Sequence, residues 1–259
     1  IYGVANHQDS QIDFGTFLQI MKSEGLKYQE INVKKIFNID GLSGAILTHE
    51  MLIDSEKSKN FFKRKLRSFL HLNMDIKKIE KINDKFKVNG ELFDYVINCT
   101  YYQKFVKKNP EITYEVTSSI IYRCNKNFPA LTVMDGPFFT IYPYKKNLYN
   151  VYSVTHSRIG ISSTINKCEN ILSDVRSDNS LLHLKKKLAE KQILTFYPKF
   201  LKNFKFKKFL TCIRTINKSK NADRSYKVYF NENFINVYSG KIDHISLASE
   251  EIIKFLRNK

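Results

Sequence analysis

The stretch Phe93-Asp94-Tyr95-Val96-Ile97-Asn98-Cys99-Thr100 decides how the rest of the chain is read. After Asp94 it is nearly continuous in apolar character, which suits a strand covered on both faces, as in a parallel sheet. Met74 to Ile82, Lys85 to Val88 and Leu92 to Cys99 read as three successive strands, with Asn89-Gly90 between the second and third. Asn-Gly is the preferred two-residue hairpin turn because both residues tolerate positive φ. A meander running into a buried strand is expected here.

Upstream, Gln8 to Lys22 places Ile12, Phe14, Phe17, Leu18 and Met21 on one helical face, with Gly25 as a stop. Ser43 to Ile53 is strand-like. Asp54 or Ser55 can then cap a helix from about Glu56 to His71. Its buried stripe would be Phe61, Phe62, Leu66, Phe69 and Leu70, with the intervening basic residues solvated. Downstream, Tyr114 to Cys124, Ala130 to Met134, Phe138 to Tyr144 and Leu148 to His156 are strand candidates, and Leu181 to Phe196 is an amphipathic helix. Phe200 to Phe209 alternates Lys with aromatics. A base-stacking platform has that pattern, but a half-buried strand explains it with less. Phe234 to Tyr238 is a short buried strand, Ser239-Gly240-Lys241 a tight turn, and Ile242 to Leu256 a helix burying Ile245, Ala248, Ile252 and Leu256. The order α/β, mostly β, then α/β again predicts an antiparallel-sheet domain inserted into a nucleotide-binding one.

The net charge is +18. Nucleic acid or an anionic surface would suit it. The excess is nearly all lysine, with 35 Lys against 8 Arg, and is spread over the whole length. Nucleic-acid readers favour arginine for bidentate contacts, so compositional bias is the preferred reading. The four cysteines, Cys99, Cys124, Cys168 and Cys212, are far apart and form no metal-ligand pair. Each lies in or near an apolar run, and a reducing, cytoplasmic setting is expected. No apolar run is long enough for a transmembrane helix, so no membrane partner is expected.

Taken in order, four segments resemble the D-amino-acid oxidase and glycine oxidase family of flavoproteins. They are the helix at Ser10-Gln11-Ile12-Asp13-Phe14; Asp54 with the following helix and the meander ending Phe93 to Thr100; Phe138-Phe139-Thr140-Ile141-Tyr142-Pro143 with the strand to Thr155-His156; and Asp223-Arg224-Ser225 with Tyr238 to Ile245. The resemblance implies an α/β chain with an FAD/NAD(P)-binding Rossmann-like domain, at 1–105 and 206–259, and an inserted substrate domain at 106–205. It implies FAD as cofactor and a small-molecule substrate: an amine, amino acid or hydroxy acid losing hydride to the flavin.

It also implies site residues. Ser239, Gly240, Lys241 and Ile242, with Asn98, Cys99 and Thr100, would lie against the flavin. Arg214, Tyr142 and His156 would face the substrate; His49, Glu50 and His244 follow by motif position alone. A plain reading stands beside each: an ordinary strand-edge Arg, a packing Tyr, a structural His and an exposed Lys at a βα turn. A strand, a Gly turn and a helix N-terminus do make a cradle for negative charge. The alternative function is a non-catalytic relic or binding protein of the same fold, contacting nucleic acid through its basic surface.

Two departures stand out. Tyr101-Tyr102 follows the strand where the family usually has Gly. No G-x-G-x-x-G occurs anywhere in the 259 residues, although that turn is what brings backbone N–H groups to a pyrophosphate. The chain also opens on Ile1 rather than Met, so it is expected to start downstream of such a finger. By itself it should therefore retain little FAD through gel filtration. Stoichiometric flavin absorbance in the protein peak would refute this.

Overall fold

In the computed structural model, residues 1–101, 104–106, 111–218, 225–238 and 241–258 are described. The chain opens with β1 (Tyr2–Ala5), α1 (Phe14–Ser23), β2 (Tyr28–Glu30), α2 (Val33–Phe37), β3 (Leu42–Thr48) and α3 (Ser55–Lys65). The meander β4 (Ile79–Ile82), β5 (Lys85–Val88) and β6 (Glu91–Phe93) follows, then β7 (Val96–Asn98). Next come β8 (Ile112–Cys124), β9 (Leu131–Met134), β10 (Phe139–Lys145), β11 (Leu148–Ser153) and β12 (Arg158–Ser162). Helices α4 (Ile165–Ser177), α5 (Ser180–Phe196) and α6 (Phe200–Asn203) lead to the long β13 (Phe204–Asn217). The described chain ends with β14 (Lys227–Asn231), β15 (Phe234–Tyr238) and α7 (Ile245–Arg257).

Local chemistry explains the boundaries. Asp13 caps α1 by accepting from Thr16 N at 2.8 Å. The helix stops at Gly25, whose φ is +65°, with Leu26 N–H closing back onto Met21 O at 3.0 Å. Asp54 caps α3 by accepting from the amides of Glu56 and Lys57. Asn89 and Gly90 both have positive φ, as the β5–β6 hairpin requires.

The chain forms two compact units. Unit 1 holds Ile1–Arg67, Val116–Ile159 and Ile171–Cys212; unit 2 holds Ser68–Glu115, Gly160–Asn170 and Ile213–Lys259. β1, unread in the sequence because it is four residues long and contains Gly3, lies parallel to β9 and antiparallel to β3. That ties the N-terminal segment to the large sheet, whose order is β12-β8-β11-β10-β9-β1-β3-β2 with β13 also on β8.

Within unit 1 the sheet is dry on one face. Leu131, Val133, Phe139 and Ile141 are nearly inaccessible and pack with Ala189, Ile193 and Phe196 of α5. On the other face Val4 and Ile46 pack with Phe17 and Met21 of α1. In unit 2, β7 runs parallel to β15, and β14 is antiparallel to β15. The meander is a separate three-stranded sheet. Phe86 meets Phe234 edge-on at 5.5 Å, and Phe255 of α7 lies 4.4 Å from Phe230.

Several expectations need correction. The α3 stripe is not buried: Phe61, Phe62, Leu66, Phe69 and Leu70 are all exposed, Phe69 at 77%. Periodicity fixes which residues share a face, not what covers it. The parallel neighbour of β7 is present, but Ile97 is 43% exposed, so β7 is not covered on both faces by the described residues. The helix expected from Ile242 starts as a 3-10 turn, Ile242–His244, and Ile245 is exposed. The half-buried strand preferred for Phe200 to Phe209 begins only at Phe204, after the helical Phe200–Asn203; Phe204 is a fully buried core residue, with Phe206 and Phe209 packed against the same core. The aromatics of that strand therefore serve packing.

Gly44 in β3 faces the Phe14 ring so closely that a Cβ there would run into it. Gly44→Ala should destabilise the protein by roughly 1–3 kcal/mol, the cost of overpacking. A further Phe14→Ala change should recover part of that loss in urea unfolding.

Candidate functional site

The polar residues of unit 1 converge because strands alternate. Leu131, Val133 and Ile141 point to the dry face, so Thr132, Thr140 and Tyr142 take the other. The register sets Tyr2 beside Thr132, Thr132 beside Thr140, and Tyr142 beside Asn150. Tyr142 and Thr132 share a hydrogen bond of 2.6 Å between their hydroxyls. The Tyr2 hydroxyl donates to a carboxylate oxygen of Glu50, just beyond β3. Burial, then that hydrogen bond, then the nearby Tyr142 drive the Tyr2 phenol pKa far up, so it stays protonated. Among the described residues Asn150 Oδ1 is buried without a hydrogen-bond partner, which leaves an acceptor beside Tyr142.

Tyr142 thus sits in a row of hydroxyls ending at a carboxylate. His156 is elsewhere in the unit, in the turn after β11. Its backbone N–H donates to Ser153 Oγ at 3.2 Å. Burial, then the nearby Lys185, lower its imidazole pKa and hold it neutral at pH 7. No hydrogen bond joins it to Tyr142 among the described residues. Tyr2, Thr132 and Asn150 had no sequence signal beyond period two; only the pairing of β1 with β9 brings Tyr2 into the row.

Unit 2 holds the other candidates. Asn98 is buried at the end of β7 and its side chain is fully used. Its Nδ2 donates to Lys104 O at 2.8 Å and to Asn236 Oδ1 at 2.9 Å, and its Oδ1 accepts from Thr100 N and Oγ1 at 3.1 and 2.8 Å. Asn98 and Thr100 therefore shape the strand end. Cys99 lies at the surface, and partial desolvation by its neighbours pushes its thiol pKa up, away from a reactive thiolate. Arg214 pairs with Glu115, which is completely buried: Nε and Nη2 both reach Oε1, at 2.8 and 2.7 Å. Two donors expected to clamp a substrate carboxylate are thus given to an internal one.

Of the flavin-facing turn, Ser239 and Gly240 lie outside the described residues, as do Asp223 and Arg224. Lys241 is extended and exposed, at φ −144° and ψ 150°. Ile242 is 57% exposed. Among the described residues His244 Nδ1 is buried and lacks a hydrogen-bond partner, with the Tyr226 ring 5.7 Å away.

No protein-family model matches the chain. Its sequence is 28% identical over 257 residues to FAD-dependent monooxygenase FPY4 of Fusarium mangiferae, covering 99% of this chain and 68% of that protein. It is 24% identical over 245 residues to FAD-dependent monooxygenase kojA of Aspergillus flavus, covering 86% of this chain and 55% of that protein. In structure it matches glycine oxidase from Geobacillus kaustophilus with a TM-score of 0.61 at 10% identity, over 95% of this chain and 66% of the other. L-Proline dehydrogenase from P. horikoshii gives 0.60 at 12%, over 92% and 66%. The fold is that of glycine oxidase. The α/β expectation holds, and the chain is similar in sequence to FAD-dependent enzymes. It spans 55% to 68% of the length of these proteins.

The described residues fit one end of a flavin. The Lys241 cation and the unpartnered His244 Nδ1 lie in the segment expected at the ring's anionic edge. At the other end, the sequence holds no glycine finger for a pyrophosphate. No helix among the described residues is long and apolar enough to cross a membrane, and they hold no metal-ligand cluster.

If Arg214 is chiefly the counter-ion of Glu115, Arg214→Ala should cost about 3 kcal/mol, because the buried carboxylate loses its guanidinium. Replacing Glu115 by Leu as well should restore most of the stability. An Arg214→Ala variant as stable as wild type in urea would return the arginine to a ligand-facing role.

Proposed function

We propose that this protein is an FAD-dependent oxidoreductase acting on a small molecule. The observation that carries this reading is the match to the glycine oxidase fold over 95% of the chain, and the similarity to FAD-dependent monooxygenases over 99% of it supports the cofactor. When bound, the flavin supplies a two-electron acceptor for a C–N or C–O bond.

The chain's own residues position and polarise. Lys241, beside the Ile242–His244 turn, would supply a cation to the flavin. His244 Nδ1 offers a further polar contact to that region. Asn98 and Thr100 hold the end of β7 rigid, and Asn98 ties it to Asn236 of β15. In unit 1, Tyr142 offers a hydroxyl already oriented by Thr132, and the Asn150 acceptor beside it can take an N–H or O–H of the substrate. Arg214 acts as a positioning residue through Glu115, and His156 contributes a neutral imidazole. The names of the two fungal relatives favour a second reaction class, transfer of one oxygen atom from O2 to the substrate.

The test is the absorbance spectrum of the protein expressed from its complete reading frame, where bound flavin gives a band at about 450 nm. A colourless protein that takes up no added FAD would overturn the reading. Heavy-isotope O2 separates the two chemistries, since only the monooxygenase carries the label into product. Lys241→Ala should keep the fold and slow substrate-driven flavin reduction by about ten-fold, ~1.4 kcal/mol of barrier. An unchanged rate would remove Lys241 from the flavin site.

A further inference from the structure

We infer that unit 1 carries a site for a phosphate monoester with an aromatic body, in the cleft between the α4–α5 corner and β13. The cleft is on the α5 side of the sheet, whereas Thr132, Thr140 and Tyr142 take the opposite face, so it is separate from the polar row. The inference goes beyond the oxidoreductase reading and rests on no part of it.

The cleft has a volume of about 330 Å³, near the small end of the range for ligand sites. Val175 and Leu182, both buried, line it from the two helices, and Phe206 and Phe209 line it from β13. These two rings stand 4.9 Å apart, and His183 meets them edge-on at 5.9 and 5.1 Å. A wall of two rings suits a further planar ring.

The charge comes from the same elements. Residues three apart in a regular strand face opposite ways. Phe206 and Phe209 share one side, so alternation breaks at Lys207-Lys208, as at a bulge, and both lysines line the cleft. Arg176, at the end of α4, is the third cation. Its Nε donates to Thr211 Oγ1 at 3.2 Å and its Nη2 to Thr211 O at 3.3 Å, which holds the guanidinium against β13. The donors on Nη1 are left for a ligand.

Among the described residues no carboxylate pairs with Arg176, Lys207 or Lys208. Asp174 and Asp178 are the nearest acids in sequence to Arg176, and neither lines the cleft. Asp178 is turned onto Ser180 N and Oγ at 2.9 and 3.1 Å. Cations gathered without a counter-ion repel one another, and an anion relieves that. A guanidinium with two ammonium groups offers more donors than one carboxylate accepts, and suits the oxygens of a dianionic phosphate. The net charge of +18 accounts for lysines in general. It does not account for an arginine held in place without a carboxylate, beside two lysines and two phenyl rings. The small cleft favours a compact phosphate over a nucleic-acid strand, whose backbone needs a continuous groove.

Titration calorimetry on the full-length protein tests this with phenyl phosphate, inorganic phosphate, phenylacetate and a short oligothymidylate lacking a terminal phosphate. Phenyl phosphate should bind about ten-fold more tightly than inorganic phosphate or phenylacetate, and the oligonucleotide most weakly. Arg176→Gln should weaken phenyl phosphate and inorganic phosphate alike, by about ten-fold. Phe209→Ala should weaken phenyl phosphate and leave inorganic phosphate unchanged. Lys59→Gln in α3 removes the same unit of charge outside the cleft and should change nothing. Thermal unfolding shows which variants are folded, and Arg176→Gln, at an exposed position, carries the test should Phe209→Ala fail to fold. Phenylacetate or the oligonucleotide binding as tightly as phenyl phosphate would overturn the proposal, as would no binding of phenyl phosphate at millimolar concentration. So would a folded Arg176→Gln or Phe209→Ala protein with unchanged affinity for phenyl phosphate, or an equal loss in Lys59→Gln, which would trace the binding to diffuse charge.

Discussion

Side-chain alternation along β9 and β10 is the constraint on which the candidate site depends. Leu131, Val133, Phe139 and Ile141 must all face α5, because moving any of them across the sheet would expose a large apolar side chain. A one-residue slip would do that to the whole set at once. Burial of this face therefore fixes the register, and the register fixes Thr132, Thr140 and Tyr142 on the opposite face. Their hydroxyls meet because the dry face leaves them no other place. Tyr2 and Glu50 join only because β1 adds to the edge of β9, in parallel, and carries β3 with it.

Much of this was legible in the sequence wherever the signal was local. Gly25, Asp54 and the Asn89-Gly90 turn act within a few residues of themselves, and each falls where expected, whereas Asp13, inside the helix expected from Gln8, is its N-cap. The strands from Tyr114 to Ser153 were legible through their alternation, and α5 through its spacing. β1, β12 and α4 were not. β1 is too short to show a period, and its place is set by partners far along the chain at Thr132 and Ala45. The parallel partner of β7 could be anticipated from its apolar run, but the exposure of Ile97 could not, because a run of apolar residues says nothing about what lies over it. The α3 stripe missed for the same reason.

The site residues divide along the same line. Tyr142 was a motif match, and its hydroxyl shares a hydrogen bond with that of Thr132. Asn98 and Thr100 were also matches, yet their polar atoms are occupied in holding the strand end. A sequence motif marks the backbone position of a residue, while the role of the side chain depends on hydrogen bonds to distant ones. For Asn98 the deciding partner is Asn236, set opposite it by the parallel register of β7 and β15.

Arg214 shows how energetics bears on a role that position leaves open. A fully buried carboxylate such as Glu115 has lost its hydration, and the penalty is several kcal/mol unless a cation and hydrogen bonds replace the water. Arg214 meets that need with two N–H donors on one oxygen. Drawing the guanidinium away to clamp a ligand would re-expose the penalty, so a carboxylate ligand would have to repay it before binding. The acceptors in unit 1 carry no such debt. Asn150 Oδ1 is already without a partner, and a donor that reaches it recovers a hydrogen bond the fold has left unmade. The polar row at Tyr142 thus holds an unmade hydrogen bond, whereas the donors of Arg214 meet Glu115.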